Sequence, residues 1–204
     1  MGKKFSHPDK KVRDKAVMVF SHWIAKQDKL DESEHLKVWK ALFYCYWMSD
    51  KVPIQQELAK KLAALIHDFP NTEQSERFIL AFYKTMQREW AGIDRLRLDK
   101  FYNLIRCFQL ETFRYLAKQG WEEEAVGRIN TIIEEGPLCL RSEKFMSLGL
   151  QLHMIDIFLD EVTDVVDDGM SADSWLRIME PYFNMMRSQC DKSVFDRIYR
   201  RIFL

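Results

Sequence analysis

The stretch REWAGIDRLRLDKFYNLIR, residues 88–106, decides the fold because it mixes eight charged side chains with regularly spaced apolar ones. A disordered charged segment would lack those apolar residues. At about 100° per residue, Leu98, Phe101 and Ile105 fall on one side of a helix. A second side of the helix gathers Arg95, Asp99, Asn103 and Arg106. The segment is therefore predicted to be a long amphipathic helix with a charged outer face.

Arg97 is the exception in this pattern, because it falls on the apolar side of the helix, between Leu104 and Phe108. A buried charge is costly unless an opposite charge reaches it. The pattern therefore predicts a structural ion pair in which a neighbouring turn supplies the carboxylate, from Glu89 or Asp50.

The same helical periodicity extends along the rest of the chain. Only seven glycines and five prolines interrupt the 204 residues, which favours helices joined by short turns, and no segment alternates like a strand. Nine helices are predicted, beginning near Asp9, Ser33, Pro53, Thr72, Asp94, Trp121, Ser142, Ser171 and Asp191, with Ser33, Asp94 and Ser171 as caps. The apolar stripe of the first is Val12, Ala16, Val19, Phe20 and Trp23. Pro181 is expected to kink or break the eighth.

The spacing of these helices indicates how they pack. Helix pairs begin near residues 9, 53, 94, 142 and 191, in steps of 41 to 49 residues. That spacing is close to the period of roughly 40–47 residues of HEAT and armadillo repeats. The predicted fold class is all-α, either a HEAT-like helical-hairpin solenoid or an irregular array of about nine helices. No long linker divides it, so residues 1–204 are predicted to form a single domain.

Charge is distributed unevenly along the chain, although the net charge is zero. The basic half, residues 1–118, carries 22 Lys and Arg against 15 Asp and Glu, a net charge of +7. The acidic part, residues 119–190, carries 5 against 14, a net charge of −9. Such a dipolar molecule suits a polyanion at one end and a basic protein at the other. Chance drift of charge in a helical protein would give the same pattern.

Several functional classes lack support in the sequence. No run of eighteen apolar residues predicts a membrane span, and the start MGKKFSHPDKKVRDK lacks the apolar stretch of a signal peptide. The cysteines form no CxxC pair, which favours reduced thiols in an intracellular protein. No phosphate-binding glycine loop or nucleophile motif occurs. No cofactor, metal or small-molecule substrate is therefore predicted.

One pair of residues requires a test as a metal site. All-helical metal-dependent phosphohydrolases use an adjacent His-Asp pair, and His67-Asp68 has that form. The further ligands would be His22 or His35 upstream and Asp94 or Asp156 downstream. However, the pair lies at a helix end before a proline, where a histidine favours the helix dipole and an aspartate begins a turn. A structural role is therefore predicted for it.

The aromatic run WKALFYCYW, residues 39–47, has two faces. One is a stripe typical of a helix core and contains Trp39, Phe43 and Trp47. The other contains Tyr44 together with Lys37, Lys40 and Lys51. Aromatic rings beside basic side chains can stack on unpaired bases, so this second face is a candidate contact with a partner.

Three segments in a fixed order also resemble a known family. They are WKALFYCYWMSDK (39–51), REWAGIDRLRLDKFYNLIR (88–106) and LGLQLHMIDIFLDEV (148–162), behind KKVRDKAV (10–17). Over most of the chain they resemble the ribosomal RNA processing protein 1 family. The resemblance implies a non-enzymatic assembly factor of the large ribosomal subunit precursor, located in the nucleus and nucleolus. Many members continue into a long charged tail that carries nuclear targeting.

The resemblance and the charge map together predict two contact surfaces on a rigid scaffold. The basic face, toward precursor ribosomal RNA or an RNA-bound factor, comprises Lys10, Lys11, Arg13, Lys37, Lys40, Tyr44, Lys51, Arg95 and Arg106. The acidic face, toward basic segments of other assembly factors, comprises Glu122, Glu123, Glu124, Asp160, Glu161, Asp164, Asp167 and Asp168. The alternatives are a helical-repeat adaptor with protein partners only and no RNA contact, or the His-Asp phosphohydrolase.

Overall fold

The chain is all-α. The computed structural model describes residues 2–5, 7, 9–139, 147–166, 170–188 and 190–204, and no strand occurs among them. The eleven helices of these residues are α1 (Gly2–Phe5), α2 (Lys10–Ile24), α3 (Glu32–Trp47), α4 (Val52–Ala64), α5 (Thr72–Glu89), α6 (Arg95–Lys118), α7 (Glu123–Glu135), α8 (Leu148–Thr163), α9 (Ala172–Ile178), α10 (Glu180–Arg187) and α11 (Lys192–Ile202). The predicted all-α class is confirmed. None of the described helices has the length and apolar character needed to cross a membrane.

Two differences separate the described helices from the nine predicted ones. The four-residue helix α1 is too short to show a periodic pattern in the sequence. The eighth predicted helix is divided at Met179, because Pro181 lacks the amide that a continuous helix needs and instead occupies the first turn of α10. The predicted start of the seventh helix at Ser142 lies outside the described residues, and α8 begins with Ser147 as its cap.

Side-chain caps determine where several helices begin. Asp94 caps α6, as predicted, and Asp9, the predicted start of the first helix, caps α2. The predicted cap of α3 at Ser33 is wrong. The Asp31 carboxylate accepts the Glu34 amide at 2.8 Å, and the Glu34 carboxylate accepts the Asp31 amide at 2.9 Å. This reciprocal capping box satisfies two backbone amides that a cap at Ser33 would leave without partners.

The described residues pack into two compact units. Unit 1 comprises Met1–Thr85 and Ile93–Phe108, and unit 2 comprises Met86–Gly92 and Gln109–Leu204. The two longest helices, α5 and α6, contribute residues to both units. The single domain over residues 1–204 stays a prediction.

Aromatic side chains form much of the core of unit 1. Trp39 is fully buried, with its ring centroid 4.8 Å from that of Phe82. Phe82 in turn stacks on Phe108 at 3.7 Å, and Phe43 stacks on Phe101 at 4.8 Å. Stacked and edge-on ring pairs add to the stability that burial alone supplies. Most of the apolar stripes predicted for α3 and α6 is therefore buried, while Trp47 and Leu98 are half-buried.

The buried face of α2 differs from the predicted one. Val19 and Trp23 were expected in the core, but both side chains are exposed. The buried residues of α2 are Arg13, Ala16, Val17, Phe20 and Ile24. Phe5 of α1 covers Phe20, with ring centroids 5.8 Å apart, whereas Val19 lines a pocket beside α1.

The core of unit 2 is built around α8. Phe158 of α8 lies edge-on to Phe113 of α6, with ring centroids 5.9 Å apart. On its other side, the centroid of the Tyr182 ring of α10 lies 4.5 Å away. One buried ring thus joins three helices of this unit.

The terminal helix α11 packs against α8 and α10. It buries Val194 and Ile198 on one face. The Asp156 carboxylate of α8 accepts hydrogen bonds from Arg197 at 2.5 Å and from Arg201 at 3.1 Å. The position of α11 is therefore fixed by apolar burial and by one carboxylate shared between two guanidinium groups.

None of the four cysteines is in a disulfide. Cys45 is fully buried in unit 1, and burial raises the pKa of its thiol to about 12. Cys107, Cys139 and Cys190 are half-buried. Because the thiolate is the reactive form, Cys45 is chemically protected in the folded chain.

Candidate interaction surfaces

The charge imbalance along the chain coincides with the division into units. Unit 1 holds 19 Lys and Arg against 13 Asp and Glu, a net charge of +6. Unit 2 holds 12 against 18, a net charge of −6. The field of unit 1 therefore attracts anions, and the field of unit 2 attracts cations.

One exposed face of α3 combines lysines with an aromatic ring. Lys37, Lys40, Tyr44 and Met48 follow one another at spacings of three or four residues, and all four are exposed. We call them the α3 stripe. Its two lysines have no ion-pair partner among the described residues. The stripe therefore presents two uncompensated charges and a ring on one helix face, as the sequence predicted for Lys37, Lys40 and Tyr44.

A pocket of about 470 Å³ lies at α1 and α2. It is lined by Lys4, Lys11, Lys15, Val12, Ala16 and Val19. The three lysines have no ion-pair partner in the described part of the chain. The lining suits an anionic group attached to an apolar one. The sequence predicted Lys11 but missed Lys15, although their spacing of four residues places both on one side of α2.

Other residues of the predicted basic face have different surroundings. The Lys10 ammonium pairs with Asp14 and lies 3.5 Å from Glu57, so its charge is already balanced. The prediction for Arg13 is wrong, because its side chain is 5% exposed and donates to the His7 carbonyl at 2.7 Å. The remaining members are Lys51 and Arg95, which are exposed, and Arg106, which is half-buried.

The buried cation of α6 is Lys100 rather than the predicted Arg97. Lys100 is 7% exposed, and its Nζ donates to the Trp47 carbonyl at 2.7 Å and to the Ser49 carbonyl at 2.8 Å. These carbonyls lie at and just after the end of α3, where the helix dipole favours a cation. The Tyr46 hydroxyl donates to the Lys100 carbonyl at 2.7 Å. Both the side chain and the backbone of Lys100 thus join α6 to α3.

The predicted pairing of Arg97 with Glu89 or Asp50 is wrong. Arg97 pairs with Asp94, three residues earlier on the chain. Its guanidinium carbon lies 4.8 Å from the centroid of the Trp47 ring. The stem and the planar head therefore cover an aromatic face while the charge stays partly in solvent, which removes the need for a buried partner.

The surroundings of Lys100 change its acidity. Burial, followed by the nearby Arg97 charge, lowers the pKa of the Lys100 ammonium to about 8, against the opposing influence of Asp50 and Asp94. At neutral pH the side chain still carries its charge. Its role is structural, since its donors hold two backbone carbonyls and leave little of it accessible to a partner.

The carboxylates at the start of α7 are exposed but partly compensated. Glu123 accepts from Arg177 at 2.6 Å, and Glu124 lies 3.8 Å from Arg128. Glu122 has no ion-pair partner among the residues that the structure describes. Glu123, which was predicted as a partner contact, therefore also links α7 to α9 within the chain.

The end of α8 supplies the other predicted acidic residues. Asp160 and Asp164 are exposed there. The prediction for Glu161 is wrong, because its side chain is only 4% exposed. Asp167 and Asp168 lie outside the described residues. The exposed members of the predicted acidic face thus fall at the start of α7 and the end of α8.

The His67-Asp68 pair lies in a 3₁₀ turn after α4 and takes part in packing. Asp68 accepts a hydrogen bond from the Ser21 hydroxyl of α2 at 2.7 Å. Of the proposed upstream ligands, His22 is exposed and His35 is buried. The proposed downstream ligands, Asp94 and Asp156, bind arginines. Over the described residues, no group of three or more His, Cys, Asp or Glu side chains could hold a metal ion.

His35 is a neutral histidine in the core of unit 1. Its Nε2 lies 3.1 Å from Oε1 of Gln74. An amide oxygen can only accept, so Nε2 carries the proton, while the buried Nδ1 has no hydrogen-bond partner among the residues that the structure describes. Burial lowers the pKa of His35, and this effect exceeds the opposing one of the Gln74 hydrogen bond.

Replacing His35 by glutamine is expected to make the chain less sensitive to acid. As the pH falls below about 6.5, the unfolded chain binds a proton at His35 that the folded chain excludes, so the folded state loses stability. Glutamine keeps a donor toward Gln74 and cannot be protonated. The free energy of unfolding, measured with urea between about pH 5 and 7, should fall less steeply for the variant. If the free energy of unfolding changed with pH in parallel for parent and variant, His35 would have the same pKa in the folded and unfolded chain, and the prediction would be wrong.

Fold and surfaces define an all-α chain with two oppositely charged units. The family described as "Nucleolar protein, Nop52" matches residues 1–204, and the chain belongs to that family. It is similar to ribosomal RNA processing protein 1 homolog A of Homo sapiens, with 39% identity over 94% of this chain and 42% of the relative. Homolog B of Homo sapiens is 36% identical over 96% of this chain and 26% of the relative.

Similarity extends to more distant organisms. The ribosomal RNA processing protein 1 homolog of Drosophila melanogaster is 28% identical over 93% of this chain and 28% of the relative. The chain spans less than half the length of these relatives. The family resemblance predicted from the three sequence segments is confirmed.

Proposed function

We propose that the chain is a non-enzymatic scaffold that takes part in ribosomal RNA processing in the nucleolus, during assembly of the large ribosomal subunit precursor. The family and the names of the relatives support the process. The separation of charge between the two units is the observation that carries the docking role. Unit 1 contacts precursor RNA, and unit 2 contacts basic segments of other assembly factors.

The α3 stripe supports the RNA contact. Lys37 and Lys40 are exposed without ion-pair partners among the described residues, so binding a phosphate breaks no existing pair. Tyr44 follows them on the same face and offers a ring for base stacking. Phosphate contacts supply affinity without sequence preference, which suits a protein that holds a structured precursor.

The exposed carboxylates of unit 2 support the protein contact. Glu122 and Asp164 have no ion-pair partner among the described residues and remain available to a lysine or arginine of another chain. Charge complementarity of this kind accelerates association and excludes partners of the wrong sign.

The salt dependence of RNA binding tests the first half of the proposal. A labelled single-stranded RNA is expected to bind the chain with an association constant whose logarithm falls linearly with the logarithm of the salt concentration, since each phosphate contact releases counterions. Fluorescence anisotropy measures this slope. An affinity that hardly changes between about 50 and about 200 mM salt overturns the RNA contact.

Charge reversal tests the second half. The double variant Glu122→Lys, Asp164→Lys is expected to lose basic assembly factors that co-purify with the parent chain. The matched control reverses Glu135 and Glu180, two exposed carboxylates of the same unit, and should retain them. If neither or both variants lose these partners, the predicted acidic face has no specific docking role.

One observation favours a second candidate, the adaptor with protein partners only. The α1–α2 pocket places Val12, Ala16 and Val19 among its lysines, and an apolar lining suits an acidic peptide better than an RNA backbone. The salt titration separates the two functions, because the adaptor would not bind RNA. Its binding of basic assembly factors would still depend on Glu122 and Asp164.

A further inference from the structure

The α1–α2 pocket is built beside an aromatic contact near the start of the chain. Phe5 of α1 packs edge-on against Phe20 of α2, with ring centroids 5.8 Å apart, and this contact holds α1 against α2. In the lining of the pocket, Ala16 presents only a methyl group beside Val12 and Val19, which leaves a volume of about 470 Å³. Ligand sites typically have volumes of about 300–1,000 Å³. The pocket therefore has the size of a binding site and a partly apolar lining.

Three ammonium groups accompany this apolar lining. Lys4 extends from α1, and Lys11 and Lys15 lie four residues apart on α2. All three are exposed and have no ion-pair partner among the described residues. Residues at i and i+4 of a helix are neighbours with Cβ atoms about 6 Å apart, so Lys11 and Lys15 can hold one ligand together.

The carboxylates of the same segment do not neutralise these lysines. Residues 1–27 contain only two, Asp9 and Asp14. Asp14 pairs with Lys10, and the Asp9 carboxylate caps α2 by accepting the Lys11 amide at 2.9 Å. Even with Asp9 counted, three ammonium groups against one carboxylate leave an excess of two positive charges at the pocket.

The carboxylates of the next two helices are engaged elsewhere. Helix α3 contacts α1 and contains Glu32 and Glu34. Glu32 pairs with Lys84 at 2.7 Å, and Glu34 belongs to the capping box of α3. In α4 the single carboxylate, Glu57, pairs with Lys61 at 2.5 Å. An acidic ligand would therefore meet positive charge that these helices leave unopposed.

We propose that the α1–α2 pocket binds a short acidic segment of a partner protein, with a large apolar side chain in the pocket and two carboxylates on Lys11 and Lys15. Alternate residues of an extended segment lie about 6.6 Å apart, so glutamates at i and i+2 suit the spacing of the two lysines. A leucine or phenylalanine of the same segment would remove the side chains of Val12 and Val19 from water. A sugar–phosphate backbone would leave them hydrated.

Such a partner extends the proposed scaffold function by giving unit 1 a protein contact, and the proposal rests on that function. The pocket contains no residue of the α3 stripe or of the predicted acidic face. Failure of the peptide test would therefore leave the RNA contact and the role of Glu122 and Asp164 intact. Failure of the salt titration and the charge-reversal test would refute those contacts without changing the affinity of the pocket for a peptide.

Three short synthetic peptides test the site. The first carries two glutamates at i and i+2 between leucines. In the second peptide glutamines replace the glutamates, and in the third serines replace the leucines. Fluorescence anisotropy of each labelled peptide with the purified chain should show that the first binds at least about tenfold more tightly than either of the others.

Variants of the pocket assign the binding to its lysines and its apolar lining. The double variant Lys11→Glu, Lys15→Glu is expected to lose at least about tenfold in affinity for the first peptide. Val19→Ser should lose about threefold, because it removes apolar lining without changing the charge. Both changes are at exposed positions, so neither opens the core of unit 1.

Two variants outside the pocket are the matched controls. Lys29→Glu, Lys60→Glu reverses two exposed lysines of the same unit that have no ion-pair partner in the described part of the chain. Val52→Ser makes the same substitution as Val19→Ser at another exposed valine of unit 1. The first control should weaken peptide binding much less than reversal of the pocket lysines, and the second should bind as the parent does.

Four results would overturn the proposal. The parent binds none of the peptides, or it binds the glutamine or serine peptide as tightly as the first. The pocket and control variants lose equal affinity, which would mean that the general field of unit 1 attracts the peptide. Val19→Ser weakens binding of single-stranded RNA and not of the peptide, which would make the pocket an RNA site. Reversal of Lys11 and Lys15 converts a dimer into a monomer, which would make a second copy of the chain the occupant.

Discussion

Replacing Lys37 and Lys40 by glutamate is expected to weaken the binding of single-stranded RNA by at least about tenfold at moderate salt. Neither side chain has an ion-pair partner among the described residues, so the substitutions break no pair of the fold. Loss of two phosphate contacts should also reduce the slope of log affinity against log salt by about 1.4. Anisotropy titrations at several salt concentrations measure both quantities.

The matched control reverses Lys26 and Lys29, two exposed lysines of unit 1 outside the α3 stripe. It changes the net charge by the same amount and should weaken binding much less. Tyr44→Ser adds a second readout, because loss of one stacked base costs about 1–3 kcal/mol and hardly alters the salt slope. Equal losses in the two double variants would mean that the general field of unit 1 attracts RNA and that the α3 stripe is not a contact.

Replacing Lys100 by methionine is expected to remove a rise in stability between about pH 8 and 10.5. The pKa of Lys100 is lowered from 10.5 to about 8 in the folded chain. Between these two values the unfolded chain binds a proton that the folded chain does not, so stability increases with pH. Over the whole window the parent should gain about 3 kcal/mol relative to the variant.

Urea unfolding of parent and variant at intervals of pH measures this difference directly. Lys60→Met is the control, since it removes one exposed ammonium from the same unit and should give a profile parallel to that of the parent. If the difference in free energy of unfolding between the parent and Lys100→Met did not change with pH, the two carbonyls would stabilise the ammonium as well as water does. In that case the substitution would still cost the hydrogen bonds to the carbonyls of Trp47 and Ser49.

Local signals made much of the fold predictable. Asp9 and Asp94 are short polar residues that precede an apolar stripe, and each caps the helix that follows it. Pro181 lacks an amide, so the division of the eighth predicted helix follows from its chemistry. The cap of α3 was missed because Ser33 stands near the start, although Asp31 with Glu34 three residues later is the fuller signal.

Tertiary contacts account for most of what sequence periodicity missed. Periodicity assigned Arg97 to the apolar side of α6, but it could not show that the Trp47 ring lies beneath it. Nor could it show that the carbonyls following α3 face Lys100. Arg13 and Glu161 were wrongly predicted to be exposed for the same reason, because the sequence does not show which neighbouring elements cover a charged side chain.

Charge separation is the part of the candidate site that the sequence showed most directly. Summing charges along the chain needs no structure, and the two halves already differ in sign. The boundaries of the units were not visible, since α5 and α6 run through both without a break in their periodicity. The exposed rings of α11 were overlooked because Phe195, Tyr199 and Phe203 have the spacing of a core stripe, and only their exposure distinguishes them from one.

The reactivity of the buried Cys45 thiol reports transient unfolding of unit 1. With no exposed surface and a pKa of about 12, it reacts with an alkylating agent only when the aromatic core around it separates. The rate of Cys45 alkylation therefore measures how often that unit unfolds transiently under native conditions, without denaturant. A partner that binds and stabilises unit 1 would lower the alkylation rate of Cys45, and one that binds only unit 2 would leave that rate unchanged.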